Sequence, residues 1–345
     1  MKKNFFLYNS YFIYILFFPM MMISSLLSFM MKSWVSLWMI MEINMISMIM
    51  LMLFDKLMNY ELLMKYFLFQ SFNSYIYLLN SFMLFNNIFM NLSLMIMNFN
   101  MLFKISIIPF HYWYIKIIYN MNWMNIFIMT TLNKIIPLFI LNNIINNVNM
   151  NLMMLNFLMM IISSFLSALV GINQINLKLI MSYSSMIQMT WIIIMMIFNE
   201  LISYMYFIIY IFITLNMNYM FYKLNLNNLM QLNIIKFNNF KMMMMLIMLM
   251  FSISSIPPMM GFLMKWIHIE NMMNLNLSFY YMCLMIINSL ISMFFYFRIM
   301  FLNLMTYFNT NKMNFKFINF YGIMNYKLLL MNWMNFYLII IYEII

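Results

Sequence analysis

The chain reads as an all-α integral membrane protein with about eleven transmembrane helices, and three features predict that class. Hydrophobic residues fill 67% of the 345 positions and charged residues only 7%. A soluble domain carries ~25% charged residues. Apolar stretches of the ~20 residues needed to cross ~30 Å of hydrocarbon recur down the whole length. Thirteen of the seventeen bases fall between those stretches, and they favour one side. Residues 1–345 are therefore read as a single transmembrane domain with no soluble part.

The spans follow in order. The first, roughly 11–31, comes after Met1-Lys2-Lys3. That start imitates a signal peptide, but it lacks a small-residue cleavage site and reads as a helix. The second, roughly 33–54, carries Glu42 near its midpoint. The third, roughly 61–84, carries Lys65 about one turn from its start. Lys104 and Pro109 fall in roughly 91–110, and Lys134 and Pro137 in roughly 123–142. Three apolar spans follow at roughly 149–170, 176–197 and 201–222. The next, roughly 242–274, is too long for one straight helix, so Pro257 and Pro258 divide it into two half-helices. Spans at roughly 277–302 and 325–344 complete the set.

Charge tests this count. With the N-terminus and every second loop on one side, that side holds twelve bases, including Lys2, Lys56, Lys116, Lys178 and Arg298. The other side holds only Lys32. Such a bias marks the inner face. The N-terminus is expected inside and the C-terminus outside. Glu42, Lys65, Lys104, Lys134 and Lys265 fall in no loop. Lys65 can snorkel to the interface. The other four have no easy exit, and a charge at bilayer depth costs ~2.5–3.5 kcal/mol or more.

Composition also excludes function classes. A single cysteine, Cys283, rules out a disulfide framework and a cysteine-ligated iron–sulfur cluster. Two histidines, His111 and His268, cannot alone make a typical metal site. Three glycines could hardly supply a nucleotide-binding fingerprint. The net charge of +11 is spread between spans rather than clustered, which argues against nucleic acid. Redox chemistry is expected on other chains. The 56 Met, 38 Phe and 24 Tyr stand against 3 Gly and the single Ala168. This usage favours A/T-rich codons and a code with more than one Met triplet, which points to an animal mitochondrial genome.

Four ionisable residues are candidates for proton movement. Glu42 can exchange protons or pair with a lysine across a helix interface, or serve as a plain helix-pairing contact. Lys104 precedes Pro109, whose missing N–H frees the carbonyl of Ile105. Lys134 precedes Pro137, which frees the carbonyl of Asn133 in the same way. A charge beside a loosened backbone requires water or protein around it. The alternative is a kink that only helps packing. Lys265 follows the Pro257-Pro258 break, where Ser252, Ser254 and Ser255 can satisfy backbone and Gly261 permits irregularity. A discontinuous helix lining a cavity is a transporter device. Spans four and nine run in opposite directions, the relation expected of inverted five-helix repeats. Desolvation penalises a charged lysine, so a series of such sites joined by water relays protons. His111 and His268 read as interfacial or packing residues.

Several segments resemble the mitochondrially encoded NADH dehydrogenase subunit 2 family, antiporter-like subunits of respiratory complex I. The matching stretches are M-E-I-N at Glu42, M-K-Y-F-L at Lys65, K-I-S-I-I-P-F-H-Y-W at Lys104 and N-K-I-I-P-L-F at Lys134. They continue with G-I-N-Q-I-N-L-K-L-I-M-S-Y-S-S from Gly171 and P-P-M-M-G-F-L-M-K-W at Lys265. The resemblance implies an antiporter-like fold in the inner mitochondrial membrane. It implies that the animal version lacks three N-terminal helices of its bacterial relatives, that Glu42 and Lys104 form a coupled pair, that Lys134 is the central connecting lysine, and that Lys265 lies towards the exit. It also implies that NADH, FMN, iron–sulfur clusters and ubiquinone are held by partner subunits. The expected partners are other membrane-arm subunits and lipids, cardiolipin among them. Two departures stand out. Ser254 and Ser255 occupy positions where the family often has glycines, and Gln188 stands where it usually has a relay histidine. Two other readings fit the same residues: a free-standing cation/proton antiporter, and a structural spacer of the membrane arm.

Overall fold

The computed structural model describes residues 2–55, 58–86, 89–146, 150–234, 240–257, 259–274 and 279–311. Those residues form helices: α1 (Lys2–Met30), α2 (Trp34–Leu53), α3 (Tyr60–Phe85), α4 (Met90–Ile105), α5 (Tyr112–Asn120), α6 (Trp123–Thr130) and α7 (Leu132–Ile145). They continue with α8 (Met150–Ile172), α9 (Leu177–Phe198), α10 (Glu200–Lys223), α11 (Leu229–Ile234), α12 (Phe240–Ser254), α13 (Met260–Asn274) and α14 (Phe279–Asn311). Six segments among the described residues are long and apolar enough to cross a membrane: 34–53, 123–145, 153–172, 177–198, 200–223 and 279–302. The last expected span, 325–344, and Pro258 lie outside the described residues.

Two expected spans differ in form. The fourth does not end at 110, because the chain turns after Ile105 and resumes as α5. Lys116, assigned to a loop by the charge count, is an exposed residue of α5. The fifth is interrupted at Thr131, whereas Pro137 stands inside α7. The interruption precedes the proline because Thr130 and Thr131 both turn their hydroxyls back onto the Phe127 carbonyl, at 3.0 and 2.7 Å. Such back-bonding bends helices. Pro137 then frees the carbonyl of Asn133, the second residue of α7.

The chain divides into two compact units, Met1–Ser163 and Ser164–Ile345, with the boundary inside α8. In the first unit α2 packs on α1, α3 and α7, and α4 packs on α3 and α7. Met48, Leu51, Met97, Met101, Ile136 and Ile140 fill its interior. Leu26, Phe72 and Phe85 stay exposed, as a lipid-facing surface requires. In the second unit α9 is buried almost all round, against α10, α13 and α14. The loop before α9 pairs with the loop before α11: Leu177 N–H donates to the Asn227 carbonyl at 2.8 Å, and Leu229 N–H to that of Ile175 at 3.0 Å. Arg298 of α14 donates to the carbonyls of Ile172 and Gln174, both at 2.6 Å, and so caps the end of α8.

α4 of the first unit and α12 of the second both stop on a left-handed serine, with the same closure that ends α10 at Asn225. At the end of α4, Ser106 takes the left-handed conformation at φ 70°. Its N–H donates to the Phe103 carbonyl at 3.0 Å, and that of Ile107 reaches back to Leu102 at 3.1 Å. At the end of α12, Ser255 sits at φ 57°. Its N–H donates to the Ser252 carbonyl at 3.4 Å, and that of Ile256 reaches Phe251 at 3.2 Å. This is the Schellman closure, which satisfies carbonyls that a helix end leaves open. Pro109 and Pro257 follow within three residues of the left-handed serines and prevent the helices from resuming at once. The prolines of both breaks thus lie where the sequence places them.

The restart of α13 is tied to the end of α12 by Gly261. A Cβ there would lie 2.1 Å from the Ser252 carbonyl oxygen, which belongs to backbone and cannot swing away. Gly261→Ala is expected to force the half-helices apart and to lower the amount of folded protein recovered from membranes, read by heat-induced loss of the folded band. An unchanged amount would show that the half-helices need not touch at this point.

A polar cavity and a serine-bound lysine as the candidate functional site

In the first unit the two break regions meet. Lys104, in the last turn of α4, and Lys134, in the first turn of α7, line one cavity of about 30 Å³. That volume has room for about two water molecules. Polar groups from four helices border it: Asn44 of α2, Gln70 of α3, Tyr114 of α5 and Asn133 of α7. Pro137 lines it as well, so the proline and the loosened backbone belong to the same polar space. A water site needs 2–4 polar partners, and this lining supplies them.

The two lysines are held differently. Lys134 is 2% exposed, and its ammonium lies 4.9 Å from the centroid of the Tyr114 ring, within cation–π range. The Lys104 Nζ donates to the Met41 thioether at 3.3 Å, and a thioether is a weak acceptor. Glu42, the next residue along α2, acts electrostatically on Lys104. The two are not in contact: Lys104 Nζ turns to Met41, and the buried Glu42 Oε1 has no hydrogen-bond partner. Glu42 as a whole is half-buried. Carboxylate and ammonium thus interact at a distance, and Glu42 does not itself line the cavity.

Lys65 stands apart. It pairs with Glu61 one turn back on an exposed face of α3 and does not line the cavity. His111 precedes α5, with its Nδ1 3.3 Å from the Pro109 carbonyl oxygen and its ring against Tyr112.

The first unit also holds a buried carboxylate just past the end of α2. Asp55, 5% exposed just after α2, accepts from the Asn122 side-chain amide at 2.6 Å and the Asn125 amide at 2.7 Å. It also accepts from the Asn122 backbone N–H at 3.2 Å, beside the N-terminus of α6. An anion there is favoured by the orphan amides and the helix dipole. Tyr14 donates to Asn125 Oδ1 at 2.8 Å, tying α1 into the same cluster. Asp55 therefore holds the helix that bears Glu42 against the helix that leads to Lys134.

In the second unit Lys265 is 6% exposed on α13. Its Nζ donates to Ser255 Oγ at 2.6 Å and lies 5.5 Å from the Trp191 ring centroid. His268, one turn further on, is fully buried edge-on to Trp191, with both ring nitrogens unpartnered. Gln188 is fully engaged. It donates to the Ile253 carbonyl at 3.3 Å and accepts from Tyr206 at 2.5 Å. With the Schellman bonds and the Ser255 hydroxyl on the Ser254 carbonyl at 2.5 Å, all four end carbonyls of α12 have a partner.

Tyr114, Trp191, Asn44 and Asp55 were not distinguished by the sequence. In a chain that is 20% aromatic and rich in Asn, nothing separates a ring over a lysine from one facing lipid. Asn44 had one signal, its place two residues after Glu42.

Residues 31–295, more than half of the chain, match the family described as NADH:quinone oxidoreductase/Mrp antiporter, transmembrane. The chain belongs to that family. All four candidate residues, Glu42, Lys104, Lys134 and Lys265, fall inside the match. Within the family it groups with proteins named NADH-ubiquinone oxidoreductase chain 2. That of Anopheles gambiae is 30% identical over 82% of this chain and 84% of its own length. Among solved structures, a chain of an archaeal membrane-bound sulfane sulfur reductase aligns with a TM-score of 0.80 at 16% identity, over 96% of this chain and 73% of that one. A chain of respiratory complex I from Thermus thermophilus aligns at 0.69 and 16% identity, over 77% and 64%. At such identity these two likenesses establish the antiporter-like fold.

Asp55→Ala is expected to leave buried amides of Asn122 and Asn125 without their acceptor, at a cost of about 1–3 kcal/mol. The expected result is a lower midpoint for heat-induced loss of the assembled complex, with loss of pumping only as the structure loosens. An unchanged midpoint would count against the clamp.

Proposed function

We propose that this chain moves protons across the mitochondrial inner membrane through Glu42, Lys104, Lys134 and Lys265. As a member of the chain 2 family it is a membrane-arm subunit of NADH:ubiquinone oxidoreductase and takes part in proton translocation. The observation that carries the residue assignment is the shared cavity. Two lysines distant in sequence border one water-sized space, with a carboxylate acting on the first of them.

The chemistry follows from charge and hydration. A proton held on Lys104 is stabilised by the Glu42 carboxylate and opposed by any charge on Lys134. A shift in the strength of the Glu42–Lys104 attraction therefore changes how readily the proton passes, through water, to Lys134. In a dry site of low dielectric such an influence is large. Lys265 would act in the same way at its own break, and the Lys65–Glu61 pair would play a secondary role near the interface. The bias of bases supports an N-terminus in the matrix and a C-terminus towards the intermembrane space. One cysteine and two histidines do not suit a redox cluster, so NADH, FMN, iron–sulfur clusters and ubiquinone are assigned to partner subunits. Other membrane-arm subunits flank the chain, and the exposed apolar faces take lipid, cardiolipin included.

A positioned acid–base group contributes ~10²–10⁴-fold to a proton-transfer step. Lys134→Ala and Lys265→Ala are each expected to slow NADH:ubiquinone turnover and pumping by about tenfold or more, with the complex still assembled. Normal pumping in an assembled Lys134→Ala complex would leave only the spacer reading. Ion exchange by the isolated chain in vesicles would instead favour a free-standing antiporter.

A further inference from the structure

We infer that Ser255 is a positioning residue for proton transfer at Lys265, acting as a hydroxyl rotor between the lysine and the broken end of α12. The inference rests on the reading of Lys265 as a proton carrier. Two independent observations support it. The first is the backbone. Ser255 sits at φ 57°, where a side chain is strained and glycine is not. Strain held at a broken helix calls for a compensating role. The second is the hydrogen-bond geometry. Ser255 Oγ accepts from Lys265 Nζ at 2.6 Å and donates to the Ser254 carbonyl at 2.5 Å.

A hydroxyl carries one donor and two acceptor lone pairs, and its hydrogen rotates. While Lys265 is an ammonium, the Ser255 oxygen accepts from it and the Ser255 hydrogen satisfies the Ser254 carbonyl. When the ammonium gives its proton to a water molecule, it becomes an amine with a lone pair and water becomes hydronium. The Ser255 hydrogen can then turn from the carbonyl to the amine. The lysine thus keeps a partner in both charge states. In exchange, the Ser254 carbonyl is released at the end of α12, where Gln188 and the Schellman bonds occupy the other three. Proton loss at Lys265 is in this way coupled to the break itself. The equivalent left-handed serine of the first unit, Ser106, donates to the Ile105 carbonyl in the same manner, but Lys104 is turned to Met41 instead. The rotor is therefore a property of the Lys265 site.

The test compares three variants of the intact complex in vesicles: Ser255→Gly, Ser255→Asn and Lys265→Ala. Protons pumped per NADH oxidised, pumping rate and heat stability are measured. Ser255→Gly removes the hydroxyl and the backbone strain together. It is expected still to assemble, the relieved strain offsetting part of the lost hydrogen bonds, but to pump about tenfold more slowly, as loss of a hydrogen bond to a charged group allows. Asparagine tolerates the left-handed conformation and carries both a donor and an acceptor, so Ser255→Asn is expected to recover much of the rate. Normal pumping by Ser255→Gly alongside a block in Lys265→Ala would overturn the rotor and leave the proton path standing. Normal pumping by Lys265→Ala would remove the path at Lys265, and the rotor with it. Failure of Ser255→Gly to assemble, or an Asn variant as slow as the Gly one, would mark the hydroxyl as packing and equally overturn the inference.

Discussion

Backbone groups inside hydrocarbon have no water to turn to, and each one left unpaired costs several kcal/mol. Everything unusual in this structure answers to that constraint. The chain interrupts its helices after Ile105, at Thr131 and after Ser254, and each interruption frees donors and acceptors. Left-handed serines close two of the ends with Schellman bonds, threonine hydroxyls turn back at the third, and Gln188 supplies the last partner at α12. A helix can be opened at membrane depth only where such partners exist. The openings in turn create the polar surroundings in which a lysine can sit.

The lysines and the breaks therefore explain each other. Lys104 and Lys134 lie within two or three residues of their interruptions, and the resulting space gathers Asn44, Gln70, Tyr114 and Asn133 among the methionines and isoleucine that also line it. Lys265 lies further from its break in sequence but is bound to the left-handed serine there. Aromatic rings serve both environments, Tyr114 beneath Lys134 and Trp191 beside Lys265. A ring face steadies a cation without fixing it through a hydrogen bond, which suits a group that must gain and lose charge.

Much of this was legible in the sequence, for reasons particular to the residues. Charges are so rare in this composition that Glu42, Lys104, Lys134 and Lys265 stood out at once. Pro109 and Pro257 stand just past two helix ends, where proline cannot continue a helix past a left-handed cap, although α4 stops at Ile105 and not at the proline. Pro137 pointed to the right helix but not to the right residue, since hydroxyl back-bonding at Thr130 and Thr131 decides where that helix parts. Asp55 did not stand out, because nothing local shows that two asparagines nearly seventy residues on would fold over it.

The sequence by itself determined that the chain is a bundle of membrane helices carrying a few ionisable groups beside weakened backbone. Those properties are set by composition and by the covalent limits of proline, and both are local. Only the tertiary structure decided which of those groups share a space. Lys104 and Lys134 meet because α4 packs against α7, and Lys265 finds Ser255 because Gly261 lets α13 restart against the end of α12. Lys65, equally charged but one turn from the start of its span, was left on an outer face with Glu61. The physical reason is that helix faces are chosen by packing, and packing is a property of pairs of segments rather than of either one alone.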